Sequence, residues 1–178
     1  RSSDLIAETQ EGLTRIKNIV KDLKDFSRTN ATQTFILADI LQGLQSTLNI
    51  VSGEVKHRAE VVLALTPLPH IACVPSQINQ VLLNLIVNAA QAMPEGQKGQ
   101  ITLRSGVEGA QVWLEVQDNG AGMSQEVMNK IFDPFYTTKP QGVGTGLGLS
   151  VSLGIIQKHA GTLTVQSELG VGTTFRIT

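Results

Sequence analysis

The sequence predicts an α/β fold in which helices cover a mixed β-sheet. Helical periodicity and strand-like alternation follow one another from residue 34 to the C-terminus. Strand patterns at 101–105 and 111–117 lie so close together that we expect an antiparallel hairpin, which makes the sheet mixed. Hydrophobic residues make up 41% of the chain and aromatic residues only 4%, so the core is expected to be aliphatic.

Length and charge narrow the classes of function. The chain has 178 residues, enough for one domain and a short additional segment. A net charge of −1 argues against a binder of nucleic acid or of anionic membranes. The single cysteine, Cys73, excludes a disulfide framework and a cysteine-based zinc site. No apolar run approaches the roughly 20 residues of a membrane span, so we expect a cytoplasmic domain and leave a membrane anchor in the full-length protein open.

The first 31 residues are expected to form the additional segment. A helix is predicted over 4–28, because its apolar residues recur at helical spacing along one seam: Ile6, Leu13, Ile16, Ile19, Val20, Leu23 and Phe26. The polar stretch 27–33 is typical of a linker. We therefore divide the chain into residues 1–31 and a domain over 32–178.

The elements of that domain are predicted in order from their periodicity. A helix at 39–52 precedes a strand at 60–65, and a helix at 76–93 precedes the hairpin strands. In the second helix the apolar residues at positions 82, 85, 86 and 89 form the face expected to be packed. The chain ends with helices near 124–131 and 147–159 and strands at 162–167 and 173–177.

A glycine-rich segment, GVGTGLGL at 142–149, indicates a loop that binds an anion. Lys139 precedes it, whereas a Walker A loop needs its lysine directly after the last glycine. A dinucleotide-binding loop is excluded because no buried strand comes before the glycines. Residues without a Cβ let backbone N–H groups surround an anion, and a helix beginning near Leu147 adds its positive end. For this motif alone, a surface loop without a ligand is an equal alternative.

Two asparagines stand out in the helix at 76–93. Asn84 and Asn88 lie one turn apart among apolar residues. Asparagine is a mediocre helix former, so the pair indicates a polar function, with a hydrogen-bonded core amide as the alternative. Three further segments follow, each compatible alone with an ordinary turn or loop: DNGAGM at 118–123, IFDPFYTTK at 131–139 and GVGTTF at 170–175.

In this order, the asparagine pair and the segments DNGAGM, IFDPFYTTK, GTGLGL and GVGTTF resemble the N, G1, F, G2 and G3 boxes of the catalytic ATP-binding domain of sensor histidine kinases. The resemblance covers about residues 32–178, and the short stretch between Phe135 and Gly142 looks like the compact lid of the nitrogen-regulation type. It implies the Bergerat fold of the GHKL ATPase superfamily, a two-layer α/β sandwich with ATP on the helical side. It also implies that residues 1–31 are the second helix of a dimerisation and phosphoacceptor hairpin and its linker.

The resemblance implies roles at the adenine end of such a site. Asp118 accepts a hydrogen bond from the exocyclic amine of adenine, where guanine presents an acceptor, and so selects ATP over GTP. Gly120 and Gly122 let the backbone approach the base, and Thr173 reaches the base through water. The apolar walls around the ring are Ala92, Met123 and Ile131.

At the phosphate end, Asn88 supplies an oxygen ligand to Mg²⁺, which prefers oxygen. Asn84 and Lys139 are the candidates for positioning the phosphates, Lys139 as a cation at the terminal phosphates. The triphosphate is wrapped by Gly144, Thr145, Gly146, Leu147, Gly148 and Leu149. We expect the lid over 136–146 to become ordered when ATP binds.

One position separates kinase from hydrolase chemistry. ATP-hydrolysing proteins of this fold, of the gyrase, Hsp90 and mismatch-repair types, carry a glutamate as general base one turn before the Mg-binding asparagine, and this chain has Asn84 there. An amide cannot take a proton, so we predict transfer to a histidine rather than to water. His57, His70 and His159 lack the context of a phosphoacceptor. The acceptor is therefore expected in another chain or in a segment before Arg1.

The resulting prediction is an ATP-binding catalytic domain that uses ATP and Mg²⁺ to phosphorylate a histidine, for relay to an aspartate of a response regulator. The expected partners are the phosphoacceptor hairpin, the response regulator and, in the full-length protein, a second copy in a homodimer. Nucleic acid is not expected as a partner. Two alternatives stay open: a non-catalytic ATP-binding or dimerisation module, and a serine kinase or ATPase of the same fold.

Overall fold

A computed structural model describes residues 34–140 and 144–178. The helix predicted over 4–28, the linker at 27–33 and the first residues of the glycine-rich segment lie outside the described residues. Within them the chain forms, in order, β1 (Ile36–Ala38), α1 (Ile40–Val55), β2 (Ala59–Ala64), β3 (Ile71–Cys73), α2 (Pro75–Gln91), β4 (Gly99–Glu108), β5 (Gln111–Asp118), α3 (Gln125–Met128), α4 (Gly148–Lys158), β6 (Leu163–Glu168) and β7 (Gly172–Ile177).

The central sheet is mixed, as predicted. Its strand order is β2-β4-β5-β7-β6. Strands β2 and β4 are parallel, whereas β4, β5, β7 and β6 pair antiparallel. The predicted hairpin is β4–β5, in which Ile101 lies opposite Asp118. A second, two-stranded sheet joins β1 to β3.

Helices α1, α2 and α4 pack together beside the sheet, with α2 in contact with both other helices and with β4 and β5. Val81, Leu85 and Ile86 of α2 are completely buried. On the sheet the inward positions alternate along each strand, and they include Ile101, Leu103, Leu114, Val116 and Phe175. The described residues thus form two layers, as the resemblance implied. None of the helices in 34–140 and 144–178 combines the length and apolar character that a membrane crossing requires.

The opposite face of the sheet is polar. Arg176 of β7 lies over the Trp113 ring at 4.5 Å and forms ion pairs with Glu115 at 3.2 Å and Glu108 at 2.7 Å. Gly106, opposite Trp113 in the ladder, leaves the space that the indole fills, since a Cβ there would lie 2.5 Å from a ring atom. This face therefore needs no covering layer of helices.

Several helices and strands begin or end at other residues than predicted, because strand pairing and burial extend beyond the residues that show a periodic pattern. Strand β4 begins at Gly99 rather than residue 101 and runs on to Glu108, since it pairs with β2 on one edge and with β5 on the other. Helix α1 continues three residues past the predicted end, to Val55, which is buried. It begins after Asp39, whose Oδ1 accepts hydrogen bonds from the N–H groups of Leu41 and Gln42 at 2.9 and 3.2 Å.

Two short strands were missed and one helix was predicted too long. Strands β1 and β3 have three residues each, too few for an alternating pattern, and they form by pairing with each other, Ile36 opposite Cys73. Helix α3 covers only Gln125–Met128 rather than 124–131. The chain turns directly after it, with the Lys130 N–H donating to the Val127 carbonyl at 2.9 Å.

Replacing Leu85 by alanine is expected to destabilise the fold by about 2–5 kcal/mol, because the deletion leaves a cavity in a packed core. Urea unfolding followed by circular dichroism measures the change. Ile50→Ala on α1 is the control, since Ile50 is 74% exposed, and it should change the free energy of unfolding by less than about 0.5 kcal/mol. Similar losses in both variants would contradict the central position of α2.

Candidate functional site

A row of polar side chains crosses the helix-covered face of the sheet. Asp118 on β5 lies opposite Thr173 on β7, which in turn lies opposite Ser167 on β6. On its other side Asp118 faces the buried Ile101. Asp118 and Thr173 are each only 6% exposed. Burying a carboxylate and hydroxyls is costly unless they are hydrogen-bonded, so this polar row of Asp118, Thr173 and Ser167 marks a site.

The Asp118 carboxylate is held by backbone N–H groups. Its Oδ1 accepts a hydrogen bond from the Gly120 N–H at 2.8 Å. Burial is the larger influence and raises the pKa of the Asp118 carboxyl above its ordinary value, while hydrogen bonds from the Gly120 and Thr173 N–H groups act in the opposite direction. The carboxylate is thus fixed as an acceptor in a poorly solvated position.

The loop after β5 packs tightly against α2 and against the β6–β7 turn. A Cβ on Gly120 would lie 2.6 Å from the carbonyl oxygen of Ala92, and the N–H of Ala121 donates to that oxygen at 2.9 Å. Gly122 has φ +66°, and a Cβ there would clash with the Glu168 carbonyl. Packing against Ala92 and Glu168 is therefore what requires glycine at 120 and 122 in this structure, and the predicted approach of the backbone to a base stays a prediction.

Ser167 was missed by sequence reasoning. Its Oγ accepts from the Met123 N–H at 2.8 Å, donates to the Gly172 carbonyl at 3.0 Å and lies 2.8 Å from the Thr173 Oγ1. It joins the loop that ends at Met123 to strand β7. The signal was available in β6, where Leu163 and Val165 point inward and the next inward position is polar.

Of the three predicted apolar wall residues, Ala92 and Met123 lie at this loop. Ala92 ends α2 and contacts Gly120, as described above, and Met123 packs against the core beside its bond to Ser167. Ile131 is 6% exposed and belongs to the same core.

Helix α2 carries the second half of the site on one face. Asn84, Asn88 and Gln91 recur at helical spacing and form what we call the amide face. Lys139 reaches this face from the loop after α3: its Nζ donates to the Asn88 Oδ1 at 2.8 Å and to the Gln91 Oε1. Gln91 in turn donates from Nε2 to the Glu54 Oε1 at 3.1 Å. Gln91 and Glu54 were not among the predicted site residues.

The amide oxygens of Asn88 and Gln91 therefore face a positive charge. Burial lowers the pKa of the Lys139 ammonium, and the nearby Glu54 carboxylate partly opposes that shift. Neutral oxygens that accept from an ammonium are also suitable ligands for Mg²⁺. Among the described residues no group of three or more His, Cys, Asp or Glu side chains is arranged to hold a metal.

Asn84 joins α2 to the start of α4. Its Nδ2 donates to the Gly148 carbonyl and to the Ser152 Oγ, both at 3.2 Å. Leu147 is the N-cap of α4, and its apolar side chain makes no hydrogen bond to the first N–H groups of the helix. Those groups face the space beyond the helix end, where an anion is favoured.

The remaining residues of the glycine-rich segment pack against the loop that carries Lys139. The Phe135 N–H donates to the Gly146 carbonyl at 2.9 Å, and both residues have positive φ, 68° and 69°. A Cβ on Gly144 would lie 2.6 Å from the Thr137 Oγ1. The structure thus brings together Lys139, Asn84 and the predicted wrapping residues Gly144, Thr145, Gly146, Leu147, Gly148 and Leu149.

His159 has a structural role. Its Nε2 accepts from the Val74 N–H at 3.0 Å, and its Nδ1 lies 2.8 Å from the Ile155 carbonyl oxygen. It also packs against the Phe35 ring at 4.8 Å. This contact ties the end of α4 to the start of α2, and His159 is not placed as a phosphoacceptor.

Comparison with known proteins agrees with this architecture. The family model described as "Histidine kinase-, DNA gyrase B-, and HSP90-like ATPase" matches residues 73–178. The sensor kinase CckA of Brucella abortus (strain 2308) is 37% identical over 97% of this chain and 20% of its own length. The sensor histidine kinase ZraS of Escherichia coli (strain K12) is 40% identical over 75% of this chain and 28% of its own. The crystal structure of full-length ShkA in complex with AMPPNP superposes with a TM-score of 0.78 and 27% identity, covering 99% of this chain and 38% of that one.

This chain spans less than a third of either curated relative. The family match, in contrast, begins at Cys73, the last residue of β3, and takes in every later element. It therefore includes the polar row and the amide face. The chain belongs to the histidine kinase-, DNA gyrase B- and HSP90-like ATPase family.

Proposed function

We propose that this chain is the ATP-binding catalytic part of a sensor histidine kinase. It binds Mg-ATP and transfers the γ-phosphoryl group to a histidine outside these 178 residues, which passes it to an aspartate of a response regulator. The observation that carries the proposal is the buried Asp118 carboxylate, fixed as an acceptor at the end of β5. The similarity to CckA and ZraS supports the kinase class.

The polar row recognises adenine. The exocyclic amine of adenine donates to Asp118, whereas the oxygen at the same position of guanine would face a carboxylate and be repelled. The tight contacts of Gly120 and Gly122 keep the loop narrow enough for the base to lie against it. Thr173 contacts the base through water, and the ring packs between Ala92, Met123 and Ile131.

The amide face and the start of α4 hold the triphosphate. Asn88 offers its Oδ1 to Mg²⁺, in the direction from which Lys139 now donates. When bound, the ion neutralises charge on the phosphate oxygens. Lys139 is within reach of the same region and contacts the terminal phosphates. The N–H groups that begin α4, together with residues 144–149, surround the remaining phosphate oxygens.

The chemistry is transfer rather than hydrolysis. Asn84 stands where a general base would be needed, and its amide donates to Gly148 and Ser152. An amide in this position cannot accept a proton from water. A neutral imidazole needs no such help, because its ring nitrogen attacks the γ-phosphorus directly while the bond to the β-γ bridging oxygen breaks and ADP leaves. This disfavours an ATPase of the same fold.

The partners follow from this function. They are the phosphoacceptor hairpin, a response regulator and, in the full-length protein, a second copy in a homodimer. Residues 1–31 would be the second helix of that hairpin and its linker. We place these partners in the cytoplasm. Nucleic acid is not among the proposed partners, which is consistent with the net charge of −1.

Phosphoryl transfer is tested with a separately purified hairpin that contains the acceptor histidine. With γ-labelled ATP and Mg²⁺, the chain should label this hairpin with acid-labile, base-stable phosphate. A hairpin carrying glutamine in place of the acceptor should stay unlabelled. If the chain binds ATP and leaves the hairpin unlabelled, it is a non-catalytic binding module.

Asp118→Asn is expected to weaken ATP binding by about 10- to 100-fold, because it replaces one carboxylate oxygen by a donor that faces the adenine amine. Isothermal titration calorimetry with Mg-ATP measures the affinity. Asp133→Asn, which alters an exposed carboxylate, is the control and should bind as the unmodified chain does. An unchanged affinity in Asp118→Asn would refute the adenine assignment.

Lys139→Met should weaken ATP binding about 10-fold or more and ADP binding much less, since the side chain contacts the terminal phosphates. Methionine keeps most of the length and the apolar stem but loses the charge. Lys98→Met serves as the control, because Lys98 is exposed. Equal losses for ATP and ADP would place Lys139 away from the γ-phosphate.

A further inference from the structure

The hydrogen bonds around Ser167 determine which way the Thr173 hydroxyl donates. A serine Oγ has one proton to donate and two lone pairs. The Met123 N–H, 2.8 Å away, takes one lone pair, and the Gly172 carbonyl, 3.0 Å away, can only accept. The third neighbour is the Thr173 Oγ1 at 2.8 Å, where either atom could be the donor.

Two assignments of the Ser167 proton can be compared. If Ser167 donates to Gly172, its Oγ makes three hydrogen bonds and the Thr173 hydroxyl donates to it. If Ser167 donates to Thr173 instead, the Oγ and the Gly172 carbonyl oxygen stand 3.0 Å apart with no proton between them and repel each other. The first assignment satisfies every group and is the stable one.

The consequence for Thr173 is that its proton points away from Asp118, towards Ser167. On the side that faces Asp118, the Thr173 Oγ1 therefore offers only lone pairs. The neighbouring Asp118 has one oxygen bonded to the Gly120 N–H and is itself an acceptor. The ligand side of the polar row therefore presents acceptors only.

The geometry points to Ser167 as a positioning residue for nucleotide specificity: it holds the Thr173 hydroxyl as an acceptor, so that the polar row accepts a 6-amino purine and rejects a 6-oxo purine. This inference rests on the proposed adenine site. A threonine that is free to rotate could donate its proton to a 6-oxo group, directly or through a water, and would weaken the discrimination. Ser167 removes that option without touching the base.

The test compares ATP with ITP, which differs from it in having an oxygen at position 6 and a proton on N1. Calorimetry on the 178-residue chain gives the ratio of the ITP to the ATP dissociation constant. Ser167→Ala should lower this ratio about 3- to 10-fold, because Thr173 gains a free proton. Loss of the Met123 bond alone would weaken both nucleotides equally and leave the ratio unchanged, which would overturn the inference.

A double-mutant cycle isolates the hydroxyl. Thr173→Val removes the group through which Ser167 acts, so Ser167→Ala should have no further effect on the ratio in that background. A full effect there would also overturn the inference. Ser105→Ala is the matched control: Ser105 is buried on β4, its Oγ hydrogen-bonds the N–H and carbonyl of Thr66, and the ratio should stay unchanged.

Three further outcomes are distinguished from these. If Ser167→Ala loses its cooperative thermal unfolding, Ser167→Cys takes its place, since a thiol keeps the volume but accepts hydrogen bonds poorly; the same fall in the ratio is expected. If the unmodified chain binds neither nucleotide, the proposed function itself fails. If it prefers ATP and neither Ser167 variant changes the ratio, only the role of Ser167 fails.

Discussion

The packing of α2 between the sheet and the two other long helices fixes the distance between the two ends of the site. Its buried residues, among them Val81, Leu85 and Ile86, leave no freedom for the helix to slide. Ala92, which caps the C-terminal end of α2, then meets the loop after β5, while the amide face of α2 meets Lys139 and the start of α4. A single rigid element thereby sets the polar row and the amide face relative to each other.

The cost of the buried carboxylate explains much of the local structure. Asp118 is buried on the helix-covered face beside Thr173, and desolvation works against its charge. Backbone N–H groups of Gly120 and Thr173 offset part of that cost, and this requires the loop to turn sharply and β7 to pair in a fixed register. The glycines that allow the turn therefore also allow the hydrogen bond that holds the buried carboxylate.

The two halves of the site are held by different means. The polar row is carried by three adjacent strands, whose ladder hydrogen bonds fix the side-chain positions. The surroundings of the amide face depend on loops: Lys139 is held by amide side chains, and Phe135 and Gly146 both adopt positive φ where they bond to each other. Backbone in that region is strained for phenylalanine.

The sequence by itself determined a mixed sheet covered by helices and the β4–β5 hairpin, because periodicity and spacing are local properties. The two-layer arrangement and the role predicted for Asp118 came from the resemblance of its motifs to a known family. The sequence did not determine β1 and β3, which exist only through pairing with each other, with Ile36 opposite Cys73 and Ala38 opposite Ile71. Nor did it identify Ser167, Gln91 or Glu54. Their roles come from hydrogen bonds to residues far away in the chain: Ser167 to Met123, Gln91 to Lys139 and Glu54 to Gln91. Such contacts depend on how the helices and strands pack, and that packing is decided by the tertiary structure as a whole.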